Sequence, residues 1–260
     1  LLLLGAIEIS DFLDVIVRPD NLTAFVSGLC NLLTSSPALP YEHRDDVSGF
    51  ALLDWYNVLE ASPTLAALEA ESTKRGWSFA SEVYQPAPSI LLPADFESYL
   101  AAIDKKQRHE IRRKLRRAAE NDLPVSWRLV TDESTLEAEM ESFFTLMAQD
   151  PKKEAFLTPP MRAQMQSTAR VALQNGWLWL AFLEVDGVKA AGALNFDYGN
   201  RLWGYNSGVN RAFNELSPGW VLLAHSLQWA IEHGRIEFDF MRGNEDYKYR
   251  FGARDRLVMR

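Results

Sequence analysis

Two stretches of the chain carry residue types that could hold an anion. The first is Ser217-Pro218-Gly219, which opens an apolar segment running from Trp220 to Ile231. Serine is a good helix cap, and proline suits the first helical position, where a missing N–H does no harm. The first N–H groups of a helix have no partner within it, and the helix dipole favours negative charge there. Gly219 has no side chain to keep a phosphate away. The same triplet equally suits an ordinary buried crossover helix. The second stretch holds Lys105, Lys106, Arg108, Arg112, Arg113, Lys114, Arg116 and Arg117, with only Ile111, Leu115 and Ala118 as an apolar stripe. Basic clustering stands out in a chain of net charge −8. It fits a clamp for phosphates or an acidic polymer, or else a solvated helix face.

Other chemistries lack their residues. There is no GxSxG elbow, no GxxxxGK[ST] loop and no HExxH. His43, His109, His225 and His233 have no metal-ligand spacing, so no metal is expected, and His225 reads as a core residue. The single cysteine, Cys30, rules out an internal disulfide, points to a reducing compartment, and lies in an apolar segment that suggests burial. The acidic balance argues against generic nucleic-acid binding. No apolar run suggests a membrane span, and LLLLG lacks the features of a signal peptide, so a cytoplasmic protein is expected. The missing initiator Met suggests a fragment.

The elements that must position these residues alternate between helix and strand, giving an α/β character with a mixed sheet. Leu1–Val17 reads as one or two strands, with Asp11 and Asp14 at a cleft or in turn chemistry. A helix is expected over Asn21–Leu33, a short buried strand over Phe50–Leu53, a helix from Ser62-Pro63 to Arg75 stopped by Gly76, and strands over Trp77–Tyr84 and Ile90–Leu92. Pro86, Pro88 and Pro93 interrupt regular structure and suggest a domain boundary near Gln85 to Pro93, with the domains taken as 1–93 and 94–260. Beyond it come a long helix over Ala94–Asn121, broken once; a strand over Val125–Val130; a helix over Ser134–Gln149; a loop over Pro151–Pro160; and a helix over Met161–Asn175. Trp177–Val185 and Val188–Asp197 form a hairpin through Asp186-Gly187. Leu202–Val209 is then a strand, Gly234 stops the apolar helix, and Ile236, Phe238 and Phe240 alternate as the next strand. Strand, helix and strand make a right-handed βαβ unit, with its ligand end where strand hands over to helix.

SPGWVLLAHSLQWAIEHG followed by FDFMRGNEDYKYRFG resembles the acetyltransferase domain of cellulose-biosynthesis-protein-like members of the GNAT superfamily, relatives of FemAB-type peptidyl transferases. Ser217-Pro218-Gly219, Gly234, Asp239, Gly243 and Tyr247-Lys248 carry the resemblance, with KKQRHEIRRKLRRAAE as a second match upstream. It implies a GNAT fold, with residues 1–93 as a partial, degenerate first GNAT-like domain and 94–260 as a fuller second one. It also implies direct attack of an amine on acetyl-CoA or another acyl-CoA, the amine belonging to a small molecule or a glycan precursor of the cell envelope.

On that pattern Asn206, Ser207, Gly208 and Val209 hold the pantetheine arm through their backbone. Ser217, Gly219 and Trp220 hold the pyrophosphate. Asp239, or else Glu237, is the candidate base; Tyr247 protonates the leaving thiolate or packs; Lys248 neutralises charge. Arg112, Arg113, Arg116, Arg117 and Asp11 are candidate acceptor contacts. The sequence departs from the usual [RQ]-x-x-G-x-[GA] phosphate loop, since NRAFNELSPGW holds a single glycine. FemAB-type relatives lack that loop, take the acyl group from aminoacyl-tRNA, and carry a lysine near the domain end that Lys248 matches. A non-catalytic GNAT-fold component of a polysaccharide system is the remaining alternative.

Overall fold

The computed structural model describes residues 9–35 and 52–260. The described residues form two compact units. The first comprises residues up to 87 together with 242–244 and 255–260; the second comprises 88–241 and 245–254. The division therefore falls at 87/88, and the last residues of the chain return to the first unit. That division lies inside the proline-bearing stretch from Gln85 to Pro93, where Ala87 and Pro88 separate two short strands, Val83–Pro86 (β2) and Ser89–Leu91 (β3).

In the first unit, α1 (Leu22–Ser35) packs on α2 (Pro63–Arg75) through Leu22, Val26, Cys30 and Leu68. Ser62 caps α2 by accepting the Thr64 N–H, and Gly76 closes it at φ 69°. Cys30 is buried, and burial pushes its thiol pKa up, which keeps it unreactive. Beside the helices lies a three-stranded sheet ordered β1 (Val58–Leu59), β9 (Leu257–Met259), β2. The strand expected over Trp77–Tyr84 shrinks to β2, whose ladder partner is β9, three residues long. Leu13 and its neighbours over 9–17 are not strand, and Phe50 lies outside the described residues.

The second unit holds a six-stranded sheet ordered β3, β8 (Glu237–Asp239), β7 (Arg201–Val209), β6 (Val188–Tyr198), β5 (Leu178–Val185), β4 (Val125–Leu129). Every pairing is antiparallel except β7 with β8, which the crossover helix α8 (Pro218–Glu232) joins in parallel. One face of the sheet carries α3 (Phe96–Ala102), α4 (Lys105–Ala119) and α8; the other carries α5 (Leu136–Met147) and α7 (Pro159–Gln174). Both faces being covered explains why β5 reads LWLAFLEV. Trp179, Ala181 and Leu183 enter one core, while Leu180 and Phe182 enter the other. The long helix expected over Ala94–Asn121 breaks at 103–104, where Asp104 caps α4 by accepting the Lys106 and Gln107 N–H groups.

Three features shape the region where β7 meets α8. Gly208 lies under the last turn of α5, where an added Cβ would come within 2.4 Å of Met147 N and 2.5 Å of Leu146 C. β7 bulges at Tyr205: Leu194 faces Asn206 and Asn195 faces Gly204, with Tyr205 left between. A 3-10 helix, Arg211–Leu216, then leads into α8 in place of the expected loop.

Candidate active site

The two parallel strands part early. β7 pairs with β8 over Arg201–Trp203 and Glu237–Asp239 only, then continues alone on that side to Val209. Among the described residues no strand pairs with Gly204–Val209 along this edge. Gly204 marks the parting, where an added Cβ would meet the Phe238 ring at 3.2 Å and Asp239 O at 3.4 Å. A β-strand edge that no neighbouring strand covers can take an extended, amide-bearing arm.

At Ser207 that edge is already in use. Its carbonyl accepts a hydrogen bond from Lys153 Nζ at 2.5 Å, and its N–H donates to Asn206 Oδ1 at 2.9 Å. Lys153 lies on α6 (Pro151–Phe156), a short helix where the sequence suggested a loop. Asp150 caps it through the Lys152 and Lys153 N–H groups, with Pro151 at the first helical position. Asp150-Pro151 is the signal that could have revealed this helix. Lys153 is half-buried, and desolvation pulls its pKa below the ordinary lysine value. Asp150 and Glu245 oppose the shift, and Lys248 adds to it.

Lys248, which acts on Lys153, lies on α9 (Asp246–Arg250). Its side chain is 3% exposed, and its Nζ lies 2.9 Å from Glu245 Oε2. Tyr247, next to it, sets its ring edge against Phe240. Burial first, and Glu245 second, push its phenol above the ordinary value, so it stays protonated at neutral pH. The second unit thus brings Ser207, Lys153, Glu245 and Lys248 into one electrostatic cluster at the open end of β7.

The start of α8 differs from the expectation. Ser217 sits in the left-handed region at φ 53°, ψ 53°, and its side chain makes no cap. The incoming 3-10 helix dictates this: the Ser217 N–H returns to Asn214 O, and the Ser217 carbonyl accepts both the Trp220 and Val221 N–H groups. Pro218 has no N–H to offer. Among Ser217–Val221, Gly219 alone keeps an N–H outside these bonds, a thin cradle for a pyrophosphate. Gly219 also approaches β7, with an added Cβ 3.0 Å from Val209 Cγ1. Gly219→Val is therefore expected to cost about 1–3 kcal/mol by overpacking. A lowered melting temperature would bear this out, and an unchanged one would show that Val209 yields freely. Trp220 packs on Phe251 and carries Lys114 Nζ 3.8 Å above its ring, so its indole is engaged with α4 and α9.

Other expected site residues have partners within their own unit. Asp239 is fully buried, with Oδ1 accepting the Met241 N–H at 2.7 Å. There it holds the turn that leaves β8. Glu237 is likewise buried, 3.0 Å from Arg201 Nε. Asp11 belongs to the first unit, where it pairs with Arg242 at 2.8 Å. On α4 the cations are matched by acids: Arg112 with Glu97, Arg113 with Glu110, Arg116 with Glu120 and Arg117 with Glu215. An open depression of about 460 Å³, lined by Ser98, Arg108, His109 and Arg112 among others, lies between α3 and α4. His225 stacks on Trp127 in the helix-sheet layer, and burial lowers its pKa. No group of three His, Cys, Asp or Glu among the described residues could hold a metal ion. No described helix is long and apolar enough to cross a membrane.

Residues 105–249 match the acetyltransferase (GNAT) domain family. The chain belongs to that family. It is an acyltransferase by this membership, and the parted β7–β8 pair belongs to its second unit. No curated protein sequence matches the chain. Among solved structures, FemX superposes with a TM-score of 0.55 at 12% identity, covering 78% of this chain and 69% of that one. A conserved protein of unknown function from Bacteroides thetaiotaomicron superposes at 0.54 and 14% identity, covering 76% and 65%. The C-terminal domain of a lysylphosphatidylglycerol synthetase homologue from Agrobacterium fabrum superposes at 0.50 and 13% identity, covering 78% and 66%. The chain spans about two thirds of the length of these structures. At such identities the likeness is one of fold.

Proposed function

We propose that the chain transfers an acyl group from a carrier thioester or ester directly to an amine, in the opening between β7 and β8. The observation that carries this is the edge of β7 over Gly204–Val209, which no described strand covers, with Lys153 on Ser207 and Lys248 acting on Lys153. In this reading the donor arm lies along the edge, hydrogen-bonded by backbone. The amine attacks the acyl carbonyl, and the Lys248 ammonium faces the negative charge that develops on its oxygen. Tyr247, held protonated, gives its proton to the leaving group. The acceptor we infer is an amine of a cell-envelope or polysaccharide precursor, on the strength of the family resemblance. We read the first unit as the remainder of a degenerate GNAT-like domain.

Acyl-CoA is the donor most GNAT-domain enzymes use, and the open edge suits its pantetheine arm. A second reading, aminoacyl-tRNA, is favoured by one observation: the first turn of α8 offers so few free N–H groups to a pyrophosphate. Both donors are cytoplasmic, and we place the reaction there. Thermal shift separates them. Acetyl-CoA at about 100 times its dissociation constant adds roughly 2.7 kcal/mol of stability if it binds the folded state alone. No shift at millimolar acetyl-CoA, together with a shift from an aminoacylated acceptor-stem minihelix, would select tRNA. No shift from either would sink the transferase reading.

The α4 arginines give a further check. Replacing Arg112, Arg113, Arg116 and Arg117 by Gln removes exposed ion pairs, each worth about 0–1 kcal/mol, so the melting temperature should change little. Because each arginine already has a carboxylate partner, acetyl-CoA affinity and its salt dependence should stay at parent values. A flattened salt slope for the minihelix in the same variant would assign the face to tRNA.

A further inference from the structure

Lys153 occupies a position that the donor-binding account does not explain. Its amine reaches the donor edge of β7, is half-buried, and shares its surroundings with a second lysine. The two lysines have different partners. Lys248 Nζ has the Glu245 carboxylate at 2.9 Å, whereas Lys153 Nζ meets the neutral carbonyl of Ser207. An amine with a carboxylate in direct contact holds its proton more firmly than one whose nearest partner is a neutral carbonyl.

We propose that Lys153 is the proton acceptor for the attacking amine, with Lys248 as the charged partner that stays paired with Glu245. This rests on the transferase reading given above. The Ser207 carbonyl holds the Lys153 amine at the edge along which the donor arm lies, so an incoming ammonium would meet it beside the acyl carbon. The proton balance is complete. The acceptor ammonium passes one proton to neutral Lys153. The freed lone pair forms the C–N bond to the acyl carbonyl. The C–S or C–O bond to the carrier breaks, and the leaving group takes a proton from Tyr247, which recovers one from the nitrogen of the new amide. Lys153 then releases its proton to water.

The charged groups acting on Lys153 are Asp150 on its own helix cap and Glu245 and Lys248 from α9; Arg211 acts in turn on Asp150. Asp150 and Glu245 hold the proton on Lys153, while desolvation and Lys248 drive it off.

The test has an arm that needs no substrate. In protein labelled with 13C at lysine Cε, the Lys153 signal is assigned by its loss in Lys153→Arg. Its titration midpoint is expected below the ordinary lysine range, rising in Lys248→Met and falling in Glu245→Gln. A midpoint at the ordinary lysine value, unmoved by Lys248→Met, would overturn the proposal whatever the donor proves to be. The second arm is kinetic. Lys153→Arg keeps the hydrogen bond to Ser207 but cannot accept a proton, so kcat should fall by about 10²- to 10⁴-fold with donor affinity near the parent value. Lys153→Met should lose as much, and both should lose the acidic limb of the kcat/KM profile. Parent kcat in a folded Lys153→Arg protein would also overturn it. A lowered midpoint without acyl transfer from either donor would instead count against the transferase reading and leave the lysine pair standing.

Discussion

Gly208→Ala should melt well below the parent protein. The methyl group would be driven into backbone, within 2.4 Å of Met147 N and 2.5 Å of Leu146 C, and neither atom can rotate away. Either α5 lifts from β7 or the strand bows, and overpacking of this kind costs about 3 kcal/mol. In a domain of this size that corresponds to roughly 10 °C. The end of β7 would shift with it, so the Lys153 hydrogen bond to Ser207 should weaken too. Circular dichroism melts give the answer directly. A melting temperature within a degree or two of the parent would mean that α5 and β7 are not in such close contact. The neighbouring Gly192 makes a useful comparison: its added Cβ would meet only side chains, at 3.0–3.1 Å, so Gly192→Ala should cost less.

Lys248→Met is expected to lower kcat by about 10²- to 10³-fold, the usual cost of removing one stabilising group from a developing oxyanion. Stability should change far less. Methionine keeps most of the buried stem, and the Glu245 left behind is 57% exposed and can be solvated. The split between constants is diagnostic. A fall in kcat with KM unchanged places the lysine at the transition state, whereas a rise in the donor KM alone would make it a ground-state phosphate contact. Parent values for both constants would remove Lys248 from the site.

The sequence displayed elements whose signals are local. Asp186-Gly187 predicted its hairpin because two consecutive positive φ angles, 49° and 76°, need those residue types. Asp104 interrupts the long basic segment because its side chain caps the helix that follows. Gly234, at φ 70°, ended α8 as expected. Other features depend on partners distant in the chain. Whether β7 and β8 run together or part is set by which faces meet, and no pattern within either strand encodes it. Ser217 looked like a cap by residue type, but the 3-10 turn before it took over its carbonyl and N–H. Asp239 looked like an available carboxylate until β3 and β7 enclosed its strand on both sides. Lys153 stood in PKKEAF, a run indistinguishable from a solvated surface turn. Only the fold brings it to Ser207, 54 residues further along the chain. The arginines of α4 drew notice as a cluster, yet Glu97 and Glu215, which balance two of them, lie outside the helix.

In the proposed reaction the donor lies along the open edge of β7. Backbone amide NMR of the labelled protein, titrated with acetyl-CoA and separately with an aminoacylated minihelix, measures this residue by residue. One of the two donors should shift the amides of Tyr205, Asn206, Ser207, Gly208 and Val209 together with those of Lys153 and Lys248, at concentrations that saturate. Shifts confined to other parts of the chain, or none from either donor, would contradict it.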